Sequence, residues 1–139
     1  MLYATTTYGG QSGQGTVFSL TPPTASGDPW TETVLYSFSG RDGESPSGVL
    51  VFGANGALFG TTRLGGRNNA GTVFSLTPPE AIGSQWTETV LHSFKGFPDG
   101  AYPEGGLTLF NGVLYGTTVE GGNQHLEFGG AGTVFSLVP

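Results

Sequence analysis

The stretch GTVFSLTPP decides the fold of this chain: it occurs at residues 15–23, recurs unchanged at 71–79, and its first six residues return at 132–137. Three related segments start 56 residues apart, namely LYATTTYGG (2–10), LFGTTRLGG (58–66) and LYGTTVEGG (114–122). Self-similarity at a fixed period is the signature of a repeat architecture, in which one small unit stacks on the next. The sequence therefore predicts one structural unit per period.

Each period predicts four β-strands. Strand-forming residues are separated by turn signals, and no segment has a sustained 3.6-residue apolar repeat, so the chain is predicted to be all β. Asn111-Gly112 predicts a tight hairpin, because both central positions of a type I′ turn need positive φ. Pro78-Pro79 ends the third strand, since proline cannot donate to a ladder. The predicted strands of the central period are 48–53, 57–62, 72–76 and 86–94.

A four-stranded antiparallel unit at this spacing is typical of a β-propeller blade. Within the period the order resembles kelch-type propellers: Gly65-Gly66 after the second strand, Phe74 in the third, and Trp86 opening the fourth. On this reading Gly60 lies at the crowded ring axis, where a Cβ does not fit. The predicted fold class is an all-β propeller with about two and a half blades in one repeat domain, at residues 1–38, 48–94 and 105–137.

The residues of the repeat indicate a protein family more specifically than its spacing does. The tandem order LYGTT, Gly-Gly, GTVFSL, TETVLYSF, Asp-Gly, Pro and GGL resembles the Gloeo/Verruco (GloVer) tandem repeat family over essentially the whole chain. The resemblance implies a bacterial repeat protein of the cell surface or extracellular space, because family members end in surface-sorting anchors. It implies no established activity. The localisation rests on this resemblance alone, as the chain carries no signal-peptide pattern.

Composition narrows the function classes. The chain has 139 residues, 26 glycines, a net charge of −6 and only four basic residues, which are scattered along the sequence. Binding to nucleic acid needs clustered Lys and Arg, so we expect no nucleic-acid partner. No apolar run is long enough to span a bilayer, so we expect no membrane insertion. The absence of cysteine leaves no disulfide framework and no thiolate metal site.

The strand count predicts self-assembly. The three units carry three, four and three predicted strands, so an isolated stack leaves two apolar faces exposed. A propeller removes such faces by closing its ring, usually with about four to eight blades. Two chains supply six blade positions, so we expect a homo-oligomer, most simply a dimer. The alternative is a piece of a longer array, which would aggregate when isolated.

The candidate binding residues lie in loops and at strand starts. Asp42 and Asp99 belong to equivalent Asp-Gly loops. Hard cations bind several carboxylate and carbonyl oxygens, so these loops are candidate cation sites. Asp-Gly pairs are also common in turns, and because each loop supplies only one repeated carboxylate, we favour a role in the turn. Trp30 and Trp86 open equivalent strands, where they stack on a ligand or, as we favour, serve the framework. Tyr102 lies in the second Asp-Gly loop, at 96–103.

The insertion NQHLEFGGA (123–131) breaks the repeat. Inserted loops on repeat scaffolds are common places for function. His125 and Glu127 form a His-x-Glu pair there, but two ligands without a third are a weak metal signal, so we predict no metal and no cofactor.

Nothing in the sequence predicts catalysis. Glu32 and Glu88 occupy the same strand position in different blades, where we expect both side chains to face solvent. Two carboxylates in separate blades lie too far apart to act as the acid–base pair of a glycosidase. No G-x-S-x-G elbow is present. The chain is therefore interpreted as a non-enzymatic scaffold with a glycan or protein ligand at its variable loops, 40–46, 96–103 and 123–131. The alternatives are a fragment of a carbohydrate-active, kelch-like enzyme and a recently duplicated or engineered propeller without a ligand.

Overall fold

The computed structural model describes residues 1–81, 84–122 and 130–139. These residues form three antiparallel sheets in which strands adjacent in sequence are adjacent in space. The first sheet contains β1 (Leu2–Thr6), β2 (Thr16–Thr21) and β3 (Thr31–Ser37). The second contains β4 (Glu44–Phe52), β5 (Leu58–Leu64), β6 (Thr72–Thr77) and β7 (Thr87–Ser93). The third contains β8 (Thr108–Phe110), β9 (Val113–Thr118) and β10 (Thr133–Leu137).

The predicted all-β class and the strand counts of three, four and three are confirmed. Helical structure in the described residues is limited to one 3₁₀ turn, Ala54–Gly56. Within those ranges, no helix has the length and apolarity needed to cross a membrane.

Strand β4 begins earlier than the sequence predicts. It starts at Glu44, which pairs with Leu64, and continues through Pro46, which pairs with Thr62. The register then shifts between Ser47 and Val51, so the strand contains an irregularity that a simple alternation pattern does not reveal. Proline is tolerated here because β4 is the edge strand of its sheet. Residues 44–46, predicted to be loop, therefore belong to the sheet.

The hairpin between β8 and β9 has the predicted turn. Phe110 pairs with Val113 across it, and the two central residues, Asn111 and Gly112, have φ of 49° and 78°. Both values are positive, as a type I′ turn requires.

Gly60 is crowded by side chains of its own sheet. Its register partner on the neighbouring strand is Phe74, and a Cβ built on Gly60 would lie 2.5 Å from Cζ of that ring. Gly116 stands in the same relation to Phe135 in the third sheet. The expected lack of room for a Cβ is confirmed, and the atoms that leave no room belong to the same sheet; the position of Gly60 relative to a ring axis stays a prediction.

A pair of threonines joins the second and third strands of every repeat. Their Oγ1 atoms lie 2.9, 2.8 and 2.7 Å apart in the three sheets, in the pairs Thr6–Thr16, Thr62–Thr72 and Thr118–Thr133. The first hydroxyl of each pair also accepts the backbone N–H of the second threonine. This repeated bond satisfies polar groups at the strand ends and fixes the register of the sheet.

The sheets pack face to face through the same repeat positions twice. Val17 of the first sheet and Phe38, which directly follows β3, bury against Leu58, Phe74 and Leu76 of the second sheet. One repeat later, Val73 of the second sheet and Phe94, which directly follows β7, pack against Leu114, Phe135 and Leu137 of the third sheet. The edge-to-face ring contact repeats too, with centroids 5.1 Å apart for Phe38–Phe74 and 5.2 Å for Phe94–Phe135.

Each sheet therefore has a valine face and a phenylalanine face, and two of these faces are open. The valine face of the third sheet carries Val134, which is 81% exposed although its equivalents in the other sheets are completely buried. The phenylalanine face of the first sheet carries Leu2, Phe18 and Leu20, and Leu2 is 58% exposed where Leu58 is fully buried. The stack thus ends in two surfaces whose counterparts are core inside the same chain.

Candidate functional site

Asp42 holds its own loop together. Its carboxylate accepts hydrogen bonds from Tyr36 Oη at 2.6 Å, Ser39 N at 2.9 Å and Ser39 Oγ at 2.8 Å. Burial alone would raise the pKa of Asp42, but these hydrogen bonds outweigh it and lower that pKa below its ordinary value. Burial and the bond to Asp42 in turn raise the pKa of Tyr36. One carboxylate oxygen accepts from Ser39 of the loop and the other from Tyr36 of β3, which supports the turn interpretation.

Asp99 does the same in the next repeat, with a different partner. It accepts from His92 Nε2 at 2.9 Å and from the backbone N–H of Lys95 at 3.1 Å. His92 stands where Tyr36 stands one repeat earlier, and its ring packs edge-on against Phe94, with centroids 4.8 Å apart. The histidine is hydrogen-bonded, and its side chain is one-third exposed, so it is not a core residue.

Tyr102 connects the second and third sheets. Its N–H donates to Ala70 O at 2.9 Å, and its carbonyl accepts from Val119 N at 3.1 Å. The Arg63 guanidinium lies 5.4 Å from the centre of its ring and pairs with Glu104 Oε1 at 2.6 Å. The residue is therefore tied into a contact between repeats rather than free in a loop.

The two tryptophans differ although they occupy equivalent positions. Trp86 packs against the core between the first and second sheets, with its ring centroid 6.4 Å from that of Tyr3. Trp30 is 50% exposed. The packing of Trp86 agrees with the framework role we favoured, whereas no sheet of this chain covers Trp30.

The remaining predicted residues, His125 and Glu127, lie outside the described residues. Within the described ranges, no group of three or more metal-binding side chains comes together.

Glu88 is not the solvent-facing residue that the sequence predicts. It is partly buried at the boundary with the first sheet, and its Oε1 has no hydrogen-bond partner among the described residues. Burial raises the pKa of Glu88 to about 7, and the negative charge of Asp42 adds to the effect. Its repeat equivalent Glu32 is exposed, because no sheet of this chain covers it.

This burial predicts a pH-dependent stability. The folded state raises the pKa of Glu88 from 4.5 to about 7, so it binds the proton more tightly than the unfolded chain does. The free energy of unfolding should fall as the pH rises between those values, by about 1 kcal/mol after allowing for solvent screening. Glu88→Gln should abolish this fall, and Glu32→Gln should retain it. Urea denaturation from about pH 4 to 8 measures both; an unchanged pH profile in Glu88→Gln would contradict the assignment.

Two grooves of the same volume lie along the edge strands β3 and β7, and repeat-equivalent residues of these strands line one side of each. The first groove has a volume of about 440 Å³ and is lined by residues 33–37 of the first sheet, by Gln11 and by the loop 84–86. The second groove, one repeat later, also measures about 440 Å³. Its lining residues are Arg41, Arg67, Asn68, Val90, Leu91, His92, Ser93 and Lys95.

The basic residues are scattered in sequence but not in space. Of the four in the chain, Arg41, Arg67 and Lys95 all line the second groove. Sequence reasoning missed this because the three residues follow three different strands, and only the fold brings their loops together. The available signal was the departure from the repeat: Arg67 stands in place of Gln11, and Lys95 in place of Ser39.

Comparison with known families gives one match. A family model described as the Gloeobacter/Verrucomicrobia repeat matches residues 1–139. Neither the search of curated proteins nor the search of solved structures returned a match. The kelch-like order within the period stays a prediction.

Proposed function

Because the chain belongs to the Gloeobacter/Verrucomicrobia repeat family, we propose that it is a β-propeller module that works as a non-enzymatic scaffold at or outside the bacterial surface. In this proposal the module closes its ring by binding a second copy of itself. The observation that carries the proposal is the pair of complementary open faces at the two ends of the stack.

The complementarity follows from the packing inside the chain. A valine face meets a phenylalanine face at both internal boundaries, through equivalent residues. The two open faces are one of each kind, so the third sheet of one copy fits the first sheet of another without a new type of contact. Such a head-to-tail contact is heterologous and must close into a ring or grow into a filament. Two copies give six blade positions, within the usual range of about four to eight.

The energetics favour closure. Val134 and Leu2 are large exposed apolar side chains on the two faces. Burying a side chain of this size contributes about 1.5–3 kcal/mol. A closed dimer has two boundaries, each of which buries the valine face of one copy against the phenylalanine face of the other, so both boundaries stabilise the ring together.

The tryptophan contact has a counterpart in this dimer. Inside the chain Trp86 packs on Tyr3 across the first boundary. The equivalent residues at the open ends are Trp30 and Tyr115, which are 50% and 41% exposed. In the closed ring, Trp30 of each copy takes the place of Trp86 and covers Tyr115 of the other copy.

Complementation between two variants tests the proposal. Val134→Asp places a charge on the valine face, and Leu20→Asp places a charge on the phenylalanine face. Neither variant should therefore self-associate. In an equimolar mixture, the intact valine face of Leu20→Asp meets the intact phenylalanine face of Val134→Asp, and a mixed dimer should form with one sound boundary.

The matched control is Val49→Asp, since Val49 is 75% exposed but lies away from both open faces. This variant should assemble like the unmodified chain. Analytical ultracentrifugation gives the masses. If one variant still self-associates, or if the mixture stays monomeric, the head-to-tail ring is wrong.

A further inference from the structure

The second groove concentrates positive charge on an otherwise acidic molecule. The net charge is −6, yet three of the four basic side chains line this one depression. The fourth, Arg63, is paired with Glu104 elsewhere. Among the described residues, none of the three groove cations forms an ion pair with a carboxylate. The described carboxylates therefore leave these three charges uncompensated.

The acidic residues beside the groove are already engaged. Asp99 accepts from His92 and from the backbone of Lys95, and Asp42 accepts from Tyr36 and Ser39. Among the described residues, neither carboxylate forms an ion pair with a basic side chain of the groove.

Hydrogen bonds hold the loop that carries Arg67 in place. The backbone N–H of Arg67 donates to Ser93 Oγ at 2.8 Å, and Asn68 Nδ2 donates to Phe94 O at 3.2 Å. These bonds fix the Arg67 loop against β7 while leaving the guanidinium exposed. A guanidinium on a fixed backbone suits bidentate binding of a carboxylate or phosphate.

The first groove is an internal comparison of the same volume, although residues 84–86 form part of its lining and Arg41 forms part of the lining of the second. It carries Gln11 where the second carries Arg67, and the neighbouring loop has Ser39 where the second has Lys95. The framework therefore needs no cation at either position, since the first groove forms without one. The positive charge is specific to one repeat, as a binding site would be and a packing requirement would not.

We propose that the second groove binds a compact oxyanion, a carboxylate or phosphate group carried by a sugar-sized ligand. A volume of about 440 Å³ lies within the range of small-molecule pockets. The acidic surface elsewhere repels an extended polyanion once it passes beyond the groove, whereas a small ligand stays within roughly one screening length, about 8 Å. The inference rests on the proposed function in one respect: it treats the groove as a place of binding, not of reaction.

Nuclear magnetic resonance titration of the ¹⁵N-labelled full chain tests the site. Glucuronate, glucose 6-phosphate and inorganic phosphate are the oxyanion probes, and glucose is the neutral control. Saturable shifts of groove amides are expected at about millimolar concentrations, as for a ligand with few contacts. The three probes separate a carboxylate preference from a phosphate preference and show whether the sugar contributes.

The variants restore the residues of the first groove. Arg67→Gln and Lys95→Ser should each weaken binding about tenfold, the usual loss for a hydrogen bond to a charged group. Arg63→Gln, a cation outside the groove, should leave affinity within about twofold. The proposal is overturned if glucose binds as well as the anions, if the groove variants bind unchanged, or if no anion shifts the groove amides.

The failures of the two proposals are distinguishable. Light scattering on the same samples reports assembly, which Arg67→Gln should not affect. If the ligand signals change to those of a new product, the non-enzymatic role is wrong although the groove binds. If the chain is monomeric and still binds the anions, the ring is wrong and the groove stands.

Discussion

Phe74→Ala is expected to lower the free energy of unfolding by about 3–5 kcal/mol, the usual effect of removing a fully buried ring. Phe74 is completely buried between the first and second sheets and contacts Phe38 edge to face. It also fills the space that Gly60 leaves on the neighbouring strand. Truncation therefore leaves a cavity between the two sheets, because the packed sheets cannot move together to fill it.

Phe110→Ala is the control for Phe74→Ala. Phe110 is 63% exposed, so its truncation should change stability by less than about 1 kcal/mol. Guanidinium denaturation of both variants gives the comparison. A loss at Phe74 as small as that at Phe110 would mean that the inter-sheet core does not hold the stack together.

Trp30→Ala is expected to weaken self-association about a thousandfold. Large aromatic side chains at protein interfaces contribute about 2 kcal/mol or more each, and a closed dimer contains this contact twice. Inside the chain the same contact is made by Trp86 on Tyr3, so its geometry is already compatible with the fold.

The control for Trp30→Ala is its repeat equivalent. Trp86→Ala removes a contact within one chain, so it should lower the stability of the fold while leaving the dissociation constant of the dimer within about threefold. Sedimentation at several concentrations separates the two effects. Equal losses of association in both variants would contradict the assignment of Trp30 to the boundary between copies.

The elements that sequence reasoning predicts are those set by local chemistry. Asn111-Gly112 specifies its turn because few residues accept two successive positive φ angles. The third strand of each repeat is predicted at the right position because the same residues, TVFSL, form it in all three repeats. The start of β4 was missed, since the irregularity after Ser47 depends on the edge position of the strand and not on its residues alone.

The candidate site depends on contacts that sequence does not encode locally. Glu88 and Glu32 have the same neighbours in sequence, yet only Glu88 is partly buried, because a preceding sheet lies against it. The three cations of the second groove likewise come from separate loops. Reading the differences between repeats points to these positions; reading each repeat alone does not.

The native mass of the 139-residue chain tests the central claim most directly. Light scattering on a size-exclusion column should give a single peak with twice the 14.3 kDa mass of one chain. A sharp peak at the mass of one chain, at protein concentrations high enough for two copies to associate, would contradict the ring. A broad aggregate would contradict closure by two copies and indicate that further repeats cover the valine and phenylalanine faces.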